Sequence, residues 1–135
     1  MRPSLTIILV SLLAFTGCDP RPRSLAPQLQ SAGGAPALRQ ECAGFIAAYE
    51  QSKEERYAWT RSDTNFPPTI AALQPLGVSI KRYGDDLLLV DVRIDGGFFH
   101  HGLLVCPSNC PPGFSPSVAN WRMTKIADGV FEYRE

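Results

Sequence analysis

The sequence predicts an α+β fold in which one amphipathic N-terminal helix packs on an antiparallel β-meander of about five strands. Three observations carry that expectation. Apolar residues recur at helical spacing from Leu38 onward. After them, the turn signals Tyr83-Gly84-Asp85, Gly96-Gly97 and Asp128-Gly129 separate short runs of alternating character. The registers those turns impose gather apolar residues on one face of a single sheet.

In chain order, the first element is an address rather than a structure. Residues 5–15 form a nearly unbroken apolar run behind a single positive residue, Arg2. The run is too short to span a bilayer as a mature helix. Leu12-Leu13-Ala14-Phe15-Thr16-Gly17-Cys18 closes it, with two small residues directly before the cysteine. This motif resembles the lipobox of bacterial lipoproteins, with Phe15 where leucine is usual. The resemblance implies a signal peptide over 1–17, diacylglycerol on Cys18, cleavage before it and acylation of the new amino terminus. Asp19 then resembles the residue that retains enterobacterial lipoproteins in the inner membrane. The implied partner is a membrane, held through two or three acyl chains at about 0.8 kcal/mol per buried CH₂.

Removing 1–17 leaves roughly 118 residues, enough for one domain with one core. The 13 basic and 13 acidic residues balance, and loss of Arg2 leaves the mature chain near −1. No basic stripe is present, so a nucleic-acid partner has no electrostatic footing. Residues 18–37 are rich in Pro, Gly, Ser, Gln and Ala without apolar period. By composition they form a flexible tether with an end-to-end distance on the order of 25 Å, carrying Arg21 and Arg23 near the lipid. The single domain is then 38–135.

Leu38, Cys42, Phe45, Ile46 and Tyr49 share one helical stripe, with Trp59 close to it, so the helix is expected to run from Leu38 to about Thr60. Pro36 suits its first turn, and Gly33-Gly34 break what precedes it. Glu50, Lys53, Glu54, Glu55 and Arg56 form its solvated face. The segment 66–76 makes one short helical turn opened by Pro67-Pro68 and closed before Pro75.

Strands follow over Val78–Arg82, Asp86–Ile94, Phe98–Cys106, Trp121–Ala127 and Val130–Arg134. A two-residue loop at Gly96-Gly97 sets Ile94 opposite Phe99, Val92 opposite His101, Val90 opposite Leu103 and Leu88 opposite Val105. Ile80 and Val78 join that buried face. Across Asp128-Gly129, Ile126 meets Phe131, while Lys125 meets Glu132 as a charge pair on the solvent side. The second face carries Phe98, Leu87, Leu89, Leu104 and Cys106 beside Asp91, Arg93 and His100. An apolar strip of that size is either covered, by the Pro-rich segment 107–119, or used as a partner-binding surface.

With Cys18 acylated, Cys42, Cys106 and Cys110 remain in an oxidising compartment. Loop-closure entropy favours a long bridge from Cys42, about 4 kcal/mol against about 2 for Cys106–Cys110. Facing favours Cys106–Cys110, because Cys42 lies on the core side of the helix and Cys106 on the outer face of the sheet. Cys42–Cys110 is the second pairing. The spacing Cys106-Pro107-Ser108-Asn109-Cys110-Pro111 resembles the metal-binding loop of Sco-type copper chaperones over these six residues. The resemblance stops there, and its ligand histidine lies far downstream; His100, just upstream in this chain, would complete a set of three soft ligands with Cys106 and Cys110. The departures are that Pro111-Pro112-Gly113 follow the loop and that no histidine lies beyond His101.

No Gly-x-Ser-x-Gly elbow or phosphate loop occurs, and Asp85, Asp86 and Asp95 are turn residues first. The expectation is a non-enzymatic, cofactor-free lipoprotein domain that binds a protein partner in the envelope through Phe98, Leu87, Leu89 and Leu104. An inhibitor or immunity lipoprotein is a special case of it, and thiol-redox or copper handling at Cys106 and Cys110 is the alternative. A helix followed by a meander is similar in outline to pilin heads and cystatin-like domains, without matching functional residues.

Overall fold

The computed structural model describes residues 23–52, 58–60, 62, 65–96, 98, 100–108 and 110–135. The signal segment, Cys18 and Asp19, Arg21, the charged run 53–56 and Phe99 lie outside them. The elements are α1 (Ala26–Ala32), α2 (Ala35–Gln51), β1 (Ala58–Thr60), α3 (Pro68–Ala72), β2 (Gly77–Tyr83), β3 (Leu87–Gly96), β4 (His100–Val105), β5 (Arg122–Ala127) and β6 (Val130–Arg134). All strand pairs are antiparallel, in the order β1-β2-β3-β4-β6-β5. The architecture is α+β: an open six-stranded sheet with helices on one face.

The expected tether is the first correction. Leu25 and Leu29 are four residues apart, and both are buried in the core, so residues 24–32 belong to the domain. The helical signal is short, and the surrounding Pro, Gln and Gly hide it. Gly33 ends α1 by donating its amide to the Leu29 carbonyl. The second correction is the length of α2, which stops at Gln51. Trp59 instead sits in the edge strand β1 opposite Val78, and its ring meets Phe45 edge-on at 4.9 Å. The helical stripe placed Trp59 on the wrong backbone element.

Glu41 on α2 accepts the Thr69 and Ile70 amides, both at 2.9 Å. These first-turn donors of α3 have no partner within their own helix. One side chain therefore ties the two helices together. Below them Leu38, Cys42, Ile70, Leu73, Val78, Val90, Val92, Leu103, Val105 and Val130 form a fully buried core.

The β2–β3 and β3–β4 registers differ from expectation by two residues, giving Ile80↔Val90, Val90↔Val105 and Val92↔Leu103. An even shift preserves facing, so Val78, Ile80, Leu88, Val90, Val92, Ile94, Leu103 and Val105 stay on the inner face, while a bulge between Arg93 and Asp95 sets Asp95 opposite His101. The β5–β6 pair behaves oppositely. Its register begins as expected at Ala127↔Val130, then a bulge between Lys125 and Ala127 shifts it by one residue. Lys125 now lies opposite Phe131, and Glu132 is turned into the interior. The expected Lys125–Glu132 surface pair is not formed, and Lys125 reaches Asp128 at 3.9 Å instead.

Candidate functional site

The outer face of the sheet is closed by the chain itself. Residues 106–121 leave β4 at one end of the sheet and rejoin it at the start of β5, at the other. Along the way Phe114 packs edge-on against Tyr83 at 5.3 Å and Phe131 at 5.9 Å. The Ser117 amide donates to the Tyr83 hydroxyl at 3.0 Å, and Trp121 stacks on Tyr133 at 4.3 Å. Under this strap Leu89 and Leu104 are 1% and 2% exposed, and Leu87 is half-buried against it. Three of the four expected partner-binding residues are therefore occupied by an internal second core. Phe98 is wholly exposed.

Beneath the strap, the Tyr133 hydroxyl donates to Asp91 Oδ1 at 2.6 Å. Burial pushes the Asp91 carboxyl above its ordinary range, against the pull of the Tyr133 hydrogen bond and the charges of Lys81, Arg93 and His100. It pushes the Tyr133 hydroxyl up as well, with Asp91 adding to the shift. Tyr133 lies over Gly102, where a Cβ would come within 2.7 Å of its hydroxyl. No sequence signal pointed to Gly102, because the reason for glycine there is a neighbour 31 positions away.

At the end of the sheet where β4 stops, Arg39 on α2 donates from Nε to the Cys106 carbonyl at 3.1 Å and from Nη1 to Asp128 at 3.3 Å. Gly129 (φ +66°) makes room for it in the β5–β6 turn, since a Cβ there would meet Arg39 Nε at 2.7 Å. Arg39, Cys110, Phe114, Lys125 and Asp128 border a shallow cleft of about 360 Å³. Cys106 is buried, and its thiol donates to the Ser108 carbonyl at 3.8 Å. Burial, reinforced by the Cys110 thiol, pushes the Cys106 thiol up to about 12. Burial also raises Cys42, which sits under α2 on the other side of the sheet. Both thiols hold their protons at neutral pH and lack the thiolate character of reactive cysteines.

The sheet therefore separates the cysteines as the facing argument expects. In an oxidising compartment, with a dithiol–disulfide oxidoreductase taking up the two electrons, Cys106 and Cys110 are expected to bridge and Cys42 to stay free. Alkylating denatured protein should then label Cys42 alone before reduction and all three thiols after it. A Cys42–Cys110 peptide would contradict this. The ligand set of His100, Cys106 and Cys110 is not assembled. His100 starts β4 and Cys106 follows its end, a separation of about 20 Å along one strand. His100 instead pairs with Glu135. Among the described residues no group of His, Cys, Asp or Glu is placed to hold a metal ion.

The opposite end of the sheet, where β6 stops, holds the root of the domain. Glu132 is buried on the inner face and accepts from Ser24 Oγ at 2.9 Å, the Leu25 amide at 3.1 Å and Arg134 Nη2 at 2.8 Å. His101 Nε2 lies 2.8 Å from it. Burial alone would raise this carboxyl. The hydrogen bonds from Arg134, His101, Ser24 and Leu25 together outweigh burial and hold it below its ordinary value. Glu132 is therefore ionised and accepts only, so His101 Nε2 carries the proton and donates.

The chain matches no protein-family model, no curated protein and no solved structure. Among the described residues no helix is long and apolar enough to cross a membrane.

Proposed function

We propose that the chain is a lipoprotein anchored by acyl groups on Cys18, and that its domain is a non-enzymatic module binding a protein partner in the cell envelope. Asp19 favours the inner membrane. One observation carries this reading beyond the lipobox. The domain is rooted at Ser24–Leu25, at one end of the sheet, and the cleft around Arg39, Lys125 and Asp128 opens at the other. A lipid at Cys18 then leaves the cleft end facing the aqueous phase. With the outer face closed by the strap, that cleft replaces the Leu87–Leu89–Leu104 strip as the partner surface. Its charged rim surrounds Phe114, which suits a protein surface of mixed character. Raised thiols, and a buried carboxylate already saturated by its own chain, support binding rather than chemistry.

Cys18→Ser is expected to move the protein from the membrane to the soluble fraction. Lys125→Glu combined with Asp128→Lys, both exposed positions, is expected to leave the domain folded and in the membrane while abolishing its in-cell crosslinks. Retention of Cys18→Ser protein in membranes would sink the anchor. Retention of every crosslink in the double variant would sink the cleft.

A further inference from the structure

We propose that the rooted end of the sheet is a membrane-contact surface, with Phe98 and Leu76 entering the lipid interface beside arginines that meet headgroup phosphates. The proposal rests on the acylation of Cys18.

Among the described residues, the large hydrophobic side chains left exposed are Leu76 at 48% and Phe98 at 100%. They are far apart in sequence and lie at the same end of the molecule. Leu76 immediately precedes β2, and its amide donates to the Arg93 carbonyl at 2.7 Å, near the end of β3. Phe98 lies in the connection between β3 and β4, just past the Gly96↔His100 pair. At that end His101 also pairs with Arg134, and Arg134 with Arg122. Ser24 and Leu25 are bound there by Glu132, two residues from Arg134.

Chain length converts this coincidence into a constraint. Only six residue steps separate Cys18 from Ser24, a reach of about 20 Å at full extension. The coil of 18–37 expected from composition would have let the domain roam. This leash holds the end bearing Phe98 within reach of the headgroups. A strand the length of β3 is about 33 Å long, so the cleft end is kept well clear when the rooted end is down.

The contact itself need only be weak. A short leash makes it intramolecular, so an interfacial Phe and Leu too weak to recruit a soluble domain are still engaged most of the time. Arg23 and Arg122 are exposed at this end and Arg134 is half-buried, which suits anionic headgroups. The leash is also what selects lipid over protein as the occupant: the surface nearest the anchor meets the bilayer first.

The test uses the full, acylated protein in vesicles of phosphatidylethanolamine with phosphatidylglycerol, the latter carrying brominated acyl chains. Phe98→Trp is compared with Asp85→Trp in the β2–β3 turn at the opposite end, after subtracting the wild-type emission of Trp59 and Trp121. The emission added at position 98 is expected to shift to the blue and to be quenched by bromine, and that added at 85 to show neither. Equal responses at the two positions, in protein whose mass shows acylated Cys18, overturn the contact surface and leave the lipoprotein reading intact. A mass without acyl groups overturns both. A photo-reactive residue at 98 that crosslinks to a protein in cells, rather than to lipid, overturns the contact surface alone.

Discussion

Gly102→Ala is expected to destabilise the domain by about 3 kcal/mol, at the upper end of what overpacking costs, and so to lower its melting temperature by more than about 10 °C. The new methyl would enter a space already filled on both sides. It would meet the Val92 carbonyl oxygen on β3, and the Tyr133 hydroxyl and ring carbon at 2.7 and 2.9 Å on β6. A carbonyl in the sheet ladder cannot move without opening the pairing of β3 with β4. The tyrosine cannot move without releasing its bond to buried Asp91 and its stack with Trp121. Thermal unfolding followed by circular dichroism measures this directly, and a shift of only a few degrees would mean that Tyr133 does not sit over Gly102.

Glu132→Ala is expected to cost about 3 kcal/mol, because it leaves several donors at a buried site without their acceptor. His101, the Leu25 amide and the Ser24 hydroxyl would all lose their common acceptor. Glu132→Gln keeps an acceptor oxygen and should cost less. The same carboxylate sets a pH dependence. Its pKa in the folded state lies below the unfolded value, so its contribution is present above the unfolded carboxyl range, about 4.3, and is lost as pH falls through the folded value. Urea midpoints of wild type should therefore drop on acidification below about pH 4.5, and those of Glu132→Gln should drop less. Equal acid limbs would remove Glu132 from its place as the bond between the chain's root and β6.

The elements that were legible in the sequence are those whose signal is local. The Asp128-Gly129 turn and the parity of the β2, β3 and β4 faces follow from turn chemistry and alternation, and survive a two-residue error in register. What was not legible depends on distant partners. The bulge beside Ile126 reverses the facing of the rest of β5 and leaves no mark in composition. Glu132 reads as a surface acid until His101 and Ser24 are brought to it from 31 and 108 residues away. Leu25 and Leu29 are two leucines within a stretch that composition assigns to a linker, and only the core they complete shows them to be helical. The apolar second face was legible as a surface needing an explanation. The structure resolves that choice in favour of cover by 107–121, so the strip of Leu87, Leu89 and Leu104 is internal.

With Cys18 acylated as proposed, these corrections shorten the link between domain and lipid from a loose coil over 18–37 to the six residue steps between Cys18 and Ser24. The intact mass of protein extracted from membranes with detergent is the most direct measurement. The account requires a chain starting at Cys18 with the added mass of a diacylglyceryl group, with or without a further acyl chain on its amine. A chain that begins at another residue, or a Cys18 without lipid, would contradict it.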